Sequence, residues 1–144
     1  MLKKTTLLIF AYLMLVSQLD AKQKVVNIAD FIKGKDASLA VHEALEYCKK
    51  IKAHKLVFPK GRYDFSSDYS YEKYIYSDGN PCGFSPNKPS RFIFDLSGMK
   101  DFEVDGGCSE FVLHGYLSPF SLENSSNICL TNFSIDYESM VIRS

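Results

Sequence analysis

Between Arg91 and Tyr137 the chain repeats a three-residue unit: apolar, variable, apolar. The units are Phe92-Ile93-Phe94, Phe102-Glu103-Val104, Phe111-Val112-Leu113, Phe120-Ser121-Leu122, Ile128-Cys129-Leu130 and Phe133-Ser134-Ile135. In an extended backbone the first and third residues of each unit share a face. The breaks are Ser97-Gly98, Asp105-Gly106-Gly107, Ser118-Pro119 and Asn124-Ser125-Ser126-Asn127, residues that bend a backbone at low cost. Six short strands at near-regular spacing fit a sandwich, a barrel or a solenoid. No two-residue hairpin turn joins adjacent units, and Phe102/Val104 recurs 26 residues on as Ile128/Leu130. That step suits one coil of a parallel β-helix. The pattern therefore predicts an all-β solenoid whose in-phase residues, from Phe102 to Ile135, fill one core.

Upstream the period changes. Val41, Ala44, Leu45 and Cys48 follow the spacing of one helix face, so a helix is expected over residues 37–51. Asp36 can cap its start, Glu46 and Lys50 form an i,i+4 pair, and Lys49, Lys50 and Lys52 suit its negative end. A helix with one apolar face must cover something, and the open end of a solenoid needs a cap. Lys55–Phe58 and Arg62–Phe65 read as strand, turn and strand. Residues 66–90, with Tyr69, Tyr71, Tyr74 and Tyr76, read as a long loop with a strand around Tyr74–Tyr76. Its tyrosines either pack the loop on the wall or offer a surface for sugar stacking.

Composition narrows the class. A chain of 144 residues, 46% hydrophobic and 14% aromatic, can bury one bulky core. Its formal net charge of +0 and lack of a basic run argue against nucleic acid as partner. Lys3 and Lys4 followed by ten uncharged apolar residues, Leu7–Val16, predict a signal peptide over 1–21. Residues 22–144 are then one secreted or periplasmic domain with no membrane span. Cys48, Cys82, Cys108 and Cys129 allow three pairings or none, and Cys108 and Cys129 lie about one coil apart. No Cys/His spacing suggests a metal, no cofactor is called for, and His42, His54 and His114 stand isolated. Asn124 and Asn132 head glycosylation-type triplets that also coincide with expected turns.

The strings LVFPKGRYDF (56–65), YEKY (71–74), DGGCSEFVLHG (105–115) and NFSIDYE (132–138) resemble the α-1,3-galactosidases of glycoside hydrolase family 110. The resemblance runs from about Val25 to Glu138. It implies a right-handed parallel β-helix with an amino-terminal capping helix. It also implies an exo-acting, inverting, metal-independent enzyme that removes terminal α-1,3-linked galactose from glycans. Members of that family are much longer, with their catalytic acids beyond the stretch represented here. Residues 139–144 carry no turn or cap signal, so the chain reads as an amino-terminal portion, inactive by itself.

Inverting hydrolysis needs two carboxyl groups about 6.5–9.5 Å apart. The coil region offers Asp105, Glu110, Asp136 and Glu138. Asp105, before two glycines, reads as a turn residue. Asp136 follows an inward Ile135, so it should face out from the wall; it is the candidate substrate-binding residue, against a plainly solvated carboxylate. No catalytic pair is named. Two other functions fit the same fold: a non-enzymatic glycan-binding or adhesion module, and a pectin-type hydrolase or lyase.

Overall fold

The computed structural model describes residues 23–74 and 89–138. The signal-peptide expectation, Cys82, Tyr76 and the ending 139–144 lie outside those residues. The described chain is strand-rich with one α-helix. β1 is Val25–Asn27, and a 3-10 turn, Ile28–Asp30, follows it. Next come the helix α1 (Ser38–Ile51), β2 (Lys55–Val57), β3 (Arg62–Phe65) and β4 (Tyr71–Lys73). β5 (Ser90–Asp95), β6 (Lys100–His114), β7 (Ser118–Ser121) and β8 (Ser126–Glu138) complete it. Among the described residues no helix is long and apolar enough to cross a membrane.

The larger sheet is wholly parallel. β1 pairs with β2, while β2 and β3 lie end to end along β6, and β8 pairs with β6. In the smaller sheet β5 pairs parallel to β7 and antiparallel to β4. Phe102 faces Ile128 and Val104 faces Leu130 in the first sheet; Phe92 faces Ser118 and Phe94 faces Phe120 in the second. Before the bulge in β6 both sheets thus advance by the same 26 residues; past it the β6–β8 step is 24. The two sheets do not close into a complete solenoid.

The six expected strands are four, because β6 and β8 each run through two units. At Asp105-Gly106-Gly107-Cys108 the strand bulges and continues: the partner of Asp105 is Thr131, and that of Ser109 is Phe133. Gly107 and Cys108 take left-handed backbone, φ 58° and 60°, as does Asn132 opposite, φ 59°. A Cβ on Gly106 would lie 2.5 Å from the Cβ of Phe133, and one on Gly107 only 2.1 Å from the carbonyl oxygen of Phe58. Both positions therefore exclude side chains. Buried Ser109 pins the parallel bend on the next strand, donating to the Pro59 carbonyl (3.0 Å) and accepting from the Gly61 N–H (3.1 Å). β2 and β3 are thus one strand edge interrupted by a bend, not a hairpin.

The core is an aromatic stack. Phe94, Phe111 and Phe133 run from sheet to sheet and coil to coil, with ring centroids 5.7 and 4.8 Å apart, and Phe58 and Phe65 pack beside Phe111. Phe102, Val104, Phe111 and Leu113 are buried as expected. Phe120, Ile128, Leu130 and Phe133 are half-buried against the core. Leu122 corrects the pattern: β7 ends at Ser121, which is buried in its place, and Leu122 is 46% exposed. Ile135 is also partly open, since its strand has no neighbour beyond β6 among the described residues.

Helix α1 buries Val41, Ala44, Leu45 and Cys48 completely and packs on β5 and β2. Burial pushes the Cys48 thiol up to about 12, so it behaves as a small hydrophobe. The cap differs from expectation. Ala37 is the N-cap residue, and Asp36, one position earlier, accepts from the Ser38 N–H at 2.8 Å. Asp36 also accepts from the Ser66 hydroxyl, tying the helix start to the end of β3. Lys49, one residue before Lys50, is the partner of Glu46, at 3.4 Å. A short strand lies at Tyr71–Lys73, where Tyr71 stacks on His42 of the helix with ring centroids 4.7 Å apart; the strand expected around Tyr74–Tyr76 falls largely outside the described residues.

Candidate functional site

Alternation along β3, β6 and β8 sends Tyr63, Phe65, Phe111 and Leu113 inward and their neighbours outward. Register then sets Asp64 beside Val112 and Val112 beside Asp136, and sets His114 beside Glu138. The outer wall of this end of the sheet consequently carries Arg62, Asp64, His114, Asp136 and Glu138. His114 Nε2 lies 2.9 Å from Asp64 Oδ1, and Nδ1 lies 2.6 Å from Glu138 Oε2. Arg62 reaches Asp64 at 2.9 Å. The hydrogen bond from Arg62 holds the Asp64 carboxyl below its usual range against the opposing effect of burial, with His114 adding to the lowering. A carboxylate only accepts, so His114 keeps both contacts as hydrogen bonds only when both ring nitrogens carry protons.

This carboxylate–imidazole–carboxylate row spans three strands. It brings together Asp64 and His114, which residue typing alone passes over, with Glu138. All three fall inside the strings that carry the family resemblance: Asp64 in YDF, His114 in SEFVLHG and Glu138 in NFSIDYE. That shared membership is the sequence signal that could have singled them out. Asp136 is exposed on β8, as its phase requires, and accepts from the Tyr137 N–H at 2.8 Å. It makes no ion pair among the described residues, and Glu110 is exposed on the same wall.

Two further polar rows cross the coils. Lys55 bridges Glu103 (3.1 Å) and Asp105 (2.8 Å), while Asn132 donates to Asp105 at 2.9 Å. The hydrogen bond from Lys55, then those from Asn132 and the Gly107 N–H, bring the Asp105 carboxyl down to about 2. Asp105 is thus a turn residue that also locks one coil to the next. On the smaller sheet Lys73 donates to Asp95 (2.7 Å), Ser97 (2.6 Å) and Ser121 (3.0 Å). Burial works to raise the Asp95 carboxyl, but hydrogen bonds from Lys73 and Ser97 outweigh it and leave it lowered. Cys108 and Cys129 are exposed free thiols and not a disulfide. Among the described residues no group of three or more His, Cys, Asp or Glu side chains is arranged to hold a metal ion.

Comparison with known proteins bears on what this wall belongs to. No protein-family model matches the chain. Alpha-1,3-galactosidase B of Bacteroides thetaiotaomicron is 35% identical over 137 residues, covering 92% of this chain and 22% of that protein. Alpha-1,3-galactosidase A of Shewanella woodyi is 39% identical over 127 residues, covering 85% and 20% respectively. Alpha-1,3-galactosidase B of Bacteroides fragilis is 36% identical over 148 residues, covering 92% and 24%. The chain spans about a fifth to a quarter of the length of these relatives.

Proposed function

We propose that this chain, which is similar over nearly all of its length to α-1,3-galactosidases, is the capping helix and first coils of such an enzyme's right-handed parallel β-helix. The observation that carries the reading is the parallel coil-to-coil step, 26 residues in the smaller sheet and in the first part of the β6–β8 ladder and 24 past the bulge, in a chain whose relatives bear that name. The complete enzyme would be exported and would release terminal α-1,3-linked galactose from glycans, with inversion and without a metal, as the family resemblance implies. In this reading Asp136 faces substrate, and Asp64 and Glu138 serve the wall.

Physical chemistry supports a scaffold role for the described acids. An inverting pair needs one protonated carboxylic acid and one carboxylate that activates water. Asp64 is held ionised by Arg62, and Glu138 lies against His114. Neither is placed as a proton donor. The chain alone should therefore release no galactose.

A chimera tests the assignment. In alpha-1,3-galactosidase B of Bacteroides thetaiotaomicron, the aligned segment is replaced by this chain, and hydrolysis of an α-1,3-linked galactobiose is followed. Folded chimera with retained turnover supports the assignment, while this chain alone should show none. A folded but inactive chimera, or turnover by the chain alone that Asp136→Asn abolishes, would sink it.

A further inference from the structure

At the corner where the larger sheet ends and the smaller begins lies an open cleft of about 1140 Å³. Its lining draws on three successive passes of the chain. Glu72 and Arg91 come from the paired strands β4 and β5, Tyr116 and Ser118 from the turn after β6 and the start of β7, and Tyr137 from β8. Tyr116 is 92% exposed, so its ring supports no core. Tyr137 is half exposed, and its hydroxyl donates to the Leu117 carbonyl at 3.2 Å, which fixes the ring while leaving a face open. Arg91 Nε donates to one oxygen of Glu72 at 3.0 Å, and Nη2 lies 2.9 Å from the same oxygen. Among the described residues the second Glu72 oxygen and Arg91 Nη1 make no hydrogen bond, so both can meet a ligand.

We infer that this cleft is a sugar-binding subsite that takes a hexopyranose unit of a galactoside, with Tyr116 as its stacking platform and Arg91 and Glu72 as its hydroxyl-binding wall. A pyranose ring has a face of C–H bonds and a rim of hydroxyls. The face gains from lying on an exposed aromatic ring, and the rim needs donors and acceptors together. A tyrosine offers an apolar body with little conformational entropy to lose, and an Arg–Glu pair presents donors and acceptors side by side. A cleft with two rings and a few convergent polar groups is the usual form of a small-ligand site. The galactoside identity of the sugar rests on the proposed function; the placement of a sugar here rests on the cleft.

The experiment is a saturation-transfer NMR titration of the 144-residue chain with α-1,3-linked galactobiose, and with cellobiose as a second probe. We expect saturable galactobiose binding that Tyr116→Ala weakens at least fivefold and Tyr116→Phe preserves, with unchanged circular dichroism. Arg91→Gln should weaken it by a smaller factor. Galactobiose binding indifferent to both Tyr116→Ala and Arg91→Gln would overturn the subsite while leaving the galactosidase reading intact. Binding of neither sugar would also overturn the subsite, and the chimera then judges the enzyme reading separately. Binding of cellobiose alone, lost in Tyr116→Ala, would keep a sugar site here and count against a galactoside as its ligand.

Discussion

β6 and β8 carry nearly the same pattern, yet they live in different surroundings. Phe102, Val104, Phe111 and Leu113 of β6 are buried, while their register partners Ile128, Leu130, Ile135 and Tyr137 are half-buried or exposed. The difference is not hydrophobicity. β6 has β2 and β3 on one side and β8 on the other, with α1 covering the coil before it. β8 has β6 alone among the described residues. In a stacked fold a residue's burial is set by the coil on each side of it, because each repeat contacts only its neighbours.

The sharpest way to break that comparison is at its buried member. Phe111 touches the rings of Phe58, Phe65, Phe94 and Phe133. Phe111→Ala should cost about 3–5 kcal/mol, the range for a truncated core aromatic, measured by urea denaturation. A cost near that of a surface change would mean that the stack is not the core. Leu45→Ala should follow at about 2–5 kcal/mol, since Leu45 is buried in the helix face. A change below about half a kcal/mol would show the helix undocked.

The polar rows give a smaller, pH-dependent effect. Asp105 titrates below its ordinary value in the fold, so its contribution is complete above that ordinary value. It is lost as pH falls through the ordinary value towards about 2. Asp36 and Asp95, also lowered, add in the same direction. Acid should therefore loosen the coil-to-coil contacts, and Asp105→Asn should flatten the decline of stability below about pH 4. Because Asp105 and Lys55 are partly solvated, water screens the pair and its gain at neutral pH is small. A decline equally steep in the variant would place the acid sensitivity elsewhere.

Much of the frame could be read from residues alone. The step from Phe102/Val104 to Ile128/Leu130 is the observed pairing, and the Val41–Ala44–Leu45–Cys48 face is the buried one. What escaped was set by contacts across the chain. The fusion of units through Gly106-Gly107 depends on how closely Phe58 and Phe133 approach, which no local pattern records. His114 looked isolated because Asp64 lies 50 residues before it, and only parallel register brings them together. Leu122 obeyed the alternation on paper, but β7 stopped one residue short of it.

The last and smallest effect tests the exposed member of the opening pair. Ile135 faces Phe111 across the ladder and is 37% exposed. Truncation of a side chain that already meets water removes little apolar contact and leaves no sealed cavity, so the cavity cost that dominates Phe111→Ala is absent. Ile135→Ala should cost less than about 1 kcal/mol, near the range of surface substitutions. The measurement is urea denaturation at two protein concentrations, because an open strand edge invites pairing with another chain. If the cost stays small at both, β8 is exposed in solution as its burial indicates. A cost approaching that of Phe111→Ala, growing with concentration, would mean that a second copy covers β8. The contrast between the two strands would then describe the isolated chain and not its state in solution.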